Sequence, residues 1–172
     1  STYAKANLKA ERVIYKMRNR NFKVNVLRNS TLFGFSQNLR LDLVINVFVH
    51  SYLKSKKITV NGDGEQWRPF ISLTDVAKFY KVLLSEKNYP SFITNLVSFN
   101  STIKDIAYNV IKYFKGSKKQ IEFISSNKDN RNYRTKSNNI NKYFKKVKFS
   151  KFNYEIKELV KGIKKYNIKS DV

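Results

Sequence analysis

Gly62-Asp63-Gly64-Glu65-Gln66-Trp67-Arg68-Pro69-Phe70-Ile71-Ser72-Leu73-Thr74-Asp75 is the stretch that decides how this chain folds. Glycines 62 and 64 mark a turn. It delivers one arginine, Arg68, just ahead of a short apolar run over residues 70–73, and Thr74-Asp75 then reads as a helix start. A strand running directly into a helix, with a cation at its entrance, is the local unit. Upstream, Ile58-Thr59-Val60 is a short strand closed by Asn61-Gly62. Downstream, Ser72 or Thr74 can cap a helix reaching about Ser85, with Val76, Phe79, Tyr80, Leu83 and Leu84 on its inner face.

The same alternation extends both ways. Residues 3–17 contain no Gly or Pro, and Leu8, Val13, Ile14 and Met17 give an amphipathic helix with a basic outer face. Residues 22–27 alternate with the period of a strand, residues 34–38 read as loop, and residues 39–53 carry Leu and Val at helical spacing. Pro90 marks a loop before a strand at 92–98, and Ser101 or Thr102 caps a helix through Phe114 that Gly116 stops. A strand at 121–124, a polar loop at 125–139, and helices at 140–145 and 154–167 complete the chain. Strands alternating with helices of this length predict an α/β fold.

With 172 residues, 41% hydrophobic and including 13 Phe and 11 Tyr, the chain can build one proper core. No apolar run approaches the roughly 18 residues of a membrane span, so no membrane association is expected. Without cysteine there is no disulfide, thiolate nucleophile or cysteine metal site, and a cytoplasmic setting is the expectation. His50 lies within a helix with no second His or Cys beside it, so it reads as a packed or surface residue, and no metal is expected. The lysine runs at 142–151 and 161–169 read as solvated faces.

A net charge of +23 ordinarily points to a polyanionic partner. The residue types argue otherwise. There are 27 Lys against 8 Arg, whereas base and phosphate recognition favours the arginine fork. Lys, Asn, Ile, Tyr and Phe, all with A/T-rich codons, make up 85 of the 172 residues, so biased coding accounts for the excess. Nucleic acid is therefore disfavoured as a partner.

Three further segments carry chemistry. Tyr3-Ala4-Lys5-Ala6-Asn7-Leu8-Lys9-Ala10-Glu11 places Tyr3 and Asn7 one helical turn apart on one face. Leu27-Arg28-Asn29-Ser30-Thr31-Leu32-Phe33-Gly34 is a strand end running into a loop, where ligands gather in α/β proteins. Asp129-Asn130-Arg131-Asn132-Tyr133-Arg134 precedes the short helix that begins near Asn139-Ile140.

In this order and spacing, these segments resemble the C-terminal portion of an extended short-chain dehydrogenase/reductase of the NAD-dependent epimerase/dehydratase family, which acts on nucleotide sugars. The resemblance implies the last elements of a Rossmann-type parallel-sheet domain at residues 1–40. A mainly substrate-binding α/β region would occupy 41–172, interleaved with a Rossmann strand and helix at about 68–98. It further implies that Tyr3 is the catalytic base of a Tyr-x-x-x-Lys motif, whose lysine position is here Asn7, with both residues at the cofactor ribose. A lysine lowers the tyrosine pKa from about 10 toward neutrality, which Asn7 cannot do. An inactive protein, another cation, or a single-base Lys-to-Asn change each accounts for Asn7.

Asn29 and Ser30 would lie beside the nicotinamide of NAD (or NADP), Thr31 would face the sugar, and Leu43 would lie over the nucleotide. Arg68 and Arg131 would hold the diphosphate, where a guanidinium binds two oxygens at once, with Trp67 shielding the pair. Asp75 fits a helix-cap position. The five glycines, at 34, 62, 64, 116 and 162, form no Gly-x-Gly-x-x-Gly turn, so the main cofactor site is expected in a segment ahead of Ser1. The partners implied are a nucleotide-diphosphate sugar and a second copy in a homodimer. The rival readings are a catalytically inactive sugar-nucleotide-binding relative and a basic nucleic-acid-binding module.

Overall fold

The computed structural model describes residues 2–85, 89–125, 131–137, 140–145 and 147–168. Ser1, Asp129, Asn130, Asn139 and Lys146, which entered the sequence reading, lie outside the described residues. The elements run α1 (Thr2–Lys16), β1 (Asn25–Asn29), β2 (Thr31–Phe33), α2 (Val44–Ser55), β3 (Ile58–Asn61), β4 (Trp67–Ser72) and α3 (Leu73–Ser85). They continue with β5 (Phe92–Leu96), β6 (Phe99–Thr102), α4 (Ile103–Tyr113), a 3-10 turn (Lys118–Gln120), β7 (Ile121–Ile124), α5 (Ile140–Tyr143) and α6 (Phe152–Lys165).

The α/β class expected from the sequence is the class observed. β1 pairs parallel with β5, β2 parallel with β4, and β3 parallel with β7. β6 adds antiparallel to the other edge of β4, giving the order β2-β4-β6. Parallel pairs need helical crossovers and covered faces. Accordingly α2, α4 and α6 enclose a core around Phe70, Ile45, Ile106 and Ile156, while α3 and α5 cover Ile71, Phe79 and Phe92. Each of these side chains contributes about 1.5–3 kcal/mol by leaving water.

Several boundaries differ from expectation. The strand placed at 22–27 is β1, displaced toward the site, because its pairing with β5 decides its extent. The helix placed at 39–53 starts only at Val44, after an extended Leu43 at φ −90° and ψ 127°. β2 and β6 have no strong periodic signal at three and four residues, and are strands because both pair with β4. The strand placed at 92–98 ends at Leu96 as β5, and β6 begins only at Phe99. The final helices occupy 140–143 and 152–165 instead of 140–145 and 154–167.

Two inner-face assignments on α3 fail. Tyr80 is 43% and Leu84 83% exposed, while Phe79 is 1% exposed. Ser72 supplies the cap of α3, its Oγ accepting from the Asp75 N–H at 3.0 Å. Asp75 is not the cap. It is buried, and its carboxylate accepts from the Ser150 N–H and Oγ and from Lys78 Nζ, at 2.8–3.2 Å. Thr102 caps α4 through the Asp105 N–H. Beyond it, Lys115 takes the left-handed conformation (φ 56°) expected of Gly116. Glycine at 116 serves close approach instead: a Cβ there would lie 2.5 Å from Gln120 Oε1 and 2.6 Å from Tyr52 Oη.

Candidate functional site

β4 carries Arg68 into the interior, and β2 joins β4 only from Phe70 onward. At Pro69 the strand is therefore an edge on that side, the setting a proline tolerates. Arg68 is 8% exposed. Its Nη1 donates to the Trp67 carbonyl at 2.7 Å and to the Arg131 carbonyl, and its guanidinium carbon lies 5.4 Å from the centre of the Tyr133 ring.

Beside it opens a cleft of about 590 Å³ lined by Thr31, Leu43, Asn61, Gln66, Arg68, Arg131 and Tyr133, with Val44, Val47 and Ile103 among its apolar walls. Four residues singled out from the sequence, Thr31, Leu43, Arg68 and Arg131, thus come together from β2, the start of α2, β4 and the segment after β7. The first turn of α2 has no side-chain cap, and Leu43, Val44 and Val47 at its start line the same cleft.

A second cleft, about 340 Å³, adjoins the C-terminal ends of β1 and β5 and shares Thr31 and Tyr133 with the first. Asn29 and Ser30 line it. A third, about 280 Å³, is lined by Ser30, Gly34, Ser36, Asn38, Arg40, Leu43 and Asn46. The Ser30 hydroxyl is buried with no hydrogen-bond partner among the described atoms. Tyr3 and Asn7 line none of these three clefts, and both are exposed on α1. Arg40 is held above its ordinary pKa chiefly by its hydrogen bond to Asp42, and Tyr3 is among the weaker contributors.

The expectation that Trp67 shields Arg68 is not met: the Trp67 ring carries the Arg134 guanidinium instead, 3.7 Å from its centre. His50 is packed, 7% exposed, with Nε2 3.2 Å from the Ile168 carbonyl. Among the described residues no group of three or more His, Asp or Glu is placed to hold a metal, and no helix is long and apolar enough to cross a membrane.

The sequence reading missed Asn46, which is 2% exposed. Its Oδ1 accepts from the Gly34 N–H and its Nδ2 donates to the Arg40 carbonyl, each at 3.0 Å, so one carboxamide fixes both ends of the loop that lines the third cleft. The signal was present as an amide inside the apolar stripe of α2. Asn100 was also missed. It exchanges two hydrogen bonds with the backbone of Thr135, at 2.9 and 3.0 Å, and holds the segment that carries Arg131.

Comparison with known proteins bears on this geometry. The sequence model of the NAD dependent epimerase/dehydratase family matches residues 1–95. A curated Methanocaldococcus jannaschii protein, provisionally named a UDP-glucose 4-epimerase, is 32% identical over 89 residues, covering 51% of this chain and 28% of that protein. A dTDP-glucose 4,6-dehydratase from Bacillus anthracis in complex with NAD superposes with a TM-score of 0.78 at 22% identity, covering 96% of this chain and 52% of that one. A UDP-glucuronic acid 4-epimerase from Bacillus cereus, in complex with UDP-glucuronic acid and NAD, gives 0.78 at 20% identity, covering 96% and 53%. At these identities the two structures share the fold. The chain spans about half the length of each, and 28% of the curated relative.

Proposed function

The chain belongs to the NAD dependent epimerase/dehydratase family, and from that premise we propose that it forms the substrate-binding portion of an NAD-dependent nucleotide-sugar epimerase or dehydratase. The observation that carries the proposal is the shared cleft of Arg68 and Arg131, bounded by Thr31 and Leu43 and facing the uncapped start of α2. Two guanidinium groups and a helix N-terminus suit a diphosphate. Apolar walls beside the Asn61 and Gln66 amides suit a nucleobase. In this reading Arg68 and Arg131 hold the diphosphate, Leu43 packs on the nucleoside, and Thr31 faces the sugar toward the ends of β1 and β5.

The partnerless Ser30 hydroxyl fits a polar cofactor edge, so Asn29 and Ser30 are the proposed contacts to the nicotinamide end of NAD. NAD supplies a hydride acceptor when bound. Tyr3 Oη is the proposed proton acceptor, with Asn7 hydrogen-bonding at the ribose but lending no charge. Residues 1–40 are the proposed last Rossmann elements, and 41–172 the mainly substrate-binding part, interleaved with a Rossmann strand and helix at about 68–98. The exposure of Leu8, Val13 and Ile14 on α1, with Met17 just beyond its end, supports homodimer formation through that helix.

Titration calorimetry with UDP and dTDP tests the reading. Saturable binding of either by the chain, lost on replacing both Arg68 and Arg131 with Gln, is expected; equal binding by the doubly substituted chain defeats it. Asn7 favours a second reading, a relative that binds the sugar nucleotide without turning it over. Asn7→Lys in the complete enzyme distinguishes the two, since only the first reading predicts a gain in turnover.

A further inference from the structure

Residues 131–137 cross the ends of β4, β5 and β6 without forming a strand, and side chains fasten most of their length. The Trp67 N–H donates to Asn132 Oδ1 at 3.1 Å, and the Tyr133 N–H returns to the Trp67 carbonyl at 3.3 Å. Asn100 pairs with both backbone groups of Thr135, Asn95 Nδ2 donates to the Lys136 carbonyl at 3.1 Å, and the Val97 N–H donates to Ser137 Oγ at 3.0 Å. This strap supplies Arg131 and Tyr133 to the wall of the larger cleft.

Arg68 is fastened to it from inside. A guanidinium excluded from water must satisfy its N–H groups with acceptors. Nη1 uses two backbone carbonyls, one on its own strand and one, at Arg131, on the strap. We infer that Arg68 is a positioning residue for this strap: its Nη1 clasps the backbone of residue 131 to β4 and so sets where the Arg131 and Tyr133 side chains stand. The inference deepens the proposed function, since it rests on the same cleft, yet the clasp exists without any ligand. A diphosphate held by both arginines would cross-link β4 to the strap and tighten it.

The molecule carries its own reporter. Trp67 is the single tryptophan, its N–H bonded to the strap and its ring covered by Arg134. Acrylamide quenching of its fluorescence is measured in the chain and in Arg68→Gln, Arg68→Lys and Asn100→Ala variants, with far-UV circular dichroism confirming the fold. Asn100→Ala, which unfastens Thr135, calibrates the response. Arg68→Gln is expected to raise the quenching constant about twofold, as local opening does, with partial rescue by Arg68→Lys. A folded Arg68→Gln chain with unchanged quenching, while Asn100→Ala raises it, overturns the clasp. So does a flat response in every variant. Should Arg68→Gln fail to fold, Arg68→Lys decides, with unchanged quenching overturning the clasp and a rise smaller than that of Asn100→Ala supporting it. Inorganic pyrophosphate is then added to the unmodified chain. Lowered quenching supports the diphosphate reading; no effect beside a raised value in Arg68→Gln sustains the clasp and removes that reading alone.

Discussion

Glu11 and Arg28 face each other in a two-armed ion pair, 2.8 Å from Nε to Oε2 and 2.6 Å from Nη2 to Oε1. This pair ties α1, which buries none of its side chains, to the strand entering the site. The hydrogen bond from Arg28 holds the Glu11 carboxyl below its ordinary value of 4.5. A depressed carboxyl stabilises the fold fully above its unfolded pKa, and the contribution vanishes as pH falls through the folded value. The Arg28 side chain is 48% exposed, so screening limits the effect to about 1 kcal/mol or less. Urea denaturation is expected to show Glu11→Gln less stable near neutrality and indistinguishable from the unmodified chain once pH has fallen through the depressed folded-state value and the Glu11 carboxyl is protonated.

Asn46→Ala leaves the Gly34 N–H and the Arg40 carbonyl without their shared partner. The expected cost is about 1–3 kcal/mol, the penalty for unsatisfied buried polar groups. It should appear as a lower urea midpoint with an unchanged slope. Asn46→Asp keeps the acceptor for Gly34 and loses the donor to Arg40; an alanine variant as stable as the original chain would show that the loop holds without this amide.

Gly162→Ala sets two effects against each other. Alanine in a helix interior gains about 1 kcal/mol over glycine. A Cβ at 162, however, would overlap the ring of Phe35, itself stacked on Tyr166 with centroids 5.4 Å apart. Overpacking costs about 1–3 kcal/mol, so a net loss of stability is expected by thermal denaturation, and a raised midpoint contradicts it.

Arg131→Ala should weaken UDP binding by about ten- to a hundredfold, the loss of one charge-assisted contact of about 1.5–3 kcal/mol. Because Arg131 is exposed, stability should remain within about 0.5 kcal/mol. Calorimetry and denaturation of the same preparation check both halves.

What the sequence disclosed was local. The turn at Gly62 and Gly64, the strand leading to Ser72, and the capping of α3 and α4 by Ser72 and Thr102 each depend on neighbours within a few residues. What stayed hidden depends on distant partners. β2 and β6 are strands because of β4, and the segment carrying Arg131 takes its place from Asn95 and Asn100, 41 and 35 residues away from the groups they bind. Tyr80 and Leu84 follow a helical period correctly, but no element among the described residues covers that side of α3, so period alone overstated their burial. Arg68 and Arg131 could be paired from the order of motifs; that Arg68 also holds the backbone of residue 131 could not.

Burial of two carboxylates has an outward consequence. Asp75 and Glu155 are 1% and 2% exposed, and Glu11, Asp42, Glu65 and Glu158 are committed to ion pairs. The outer shell is left overwhelmingly cationic on a molecule of net charge +23. In dilute buffer its lysines push against one another across the surface, whereas counter-ions at about 0.15 M shrink that repulsion to a range of about 8 Å. Added electrolyte should therefore make this fold firmer, although the same ions weaken the few bridges it displays.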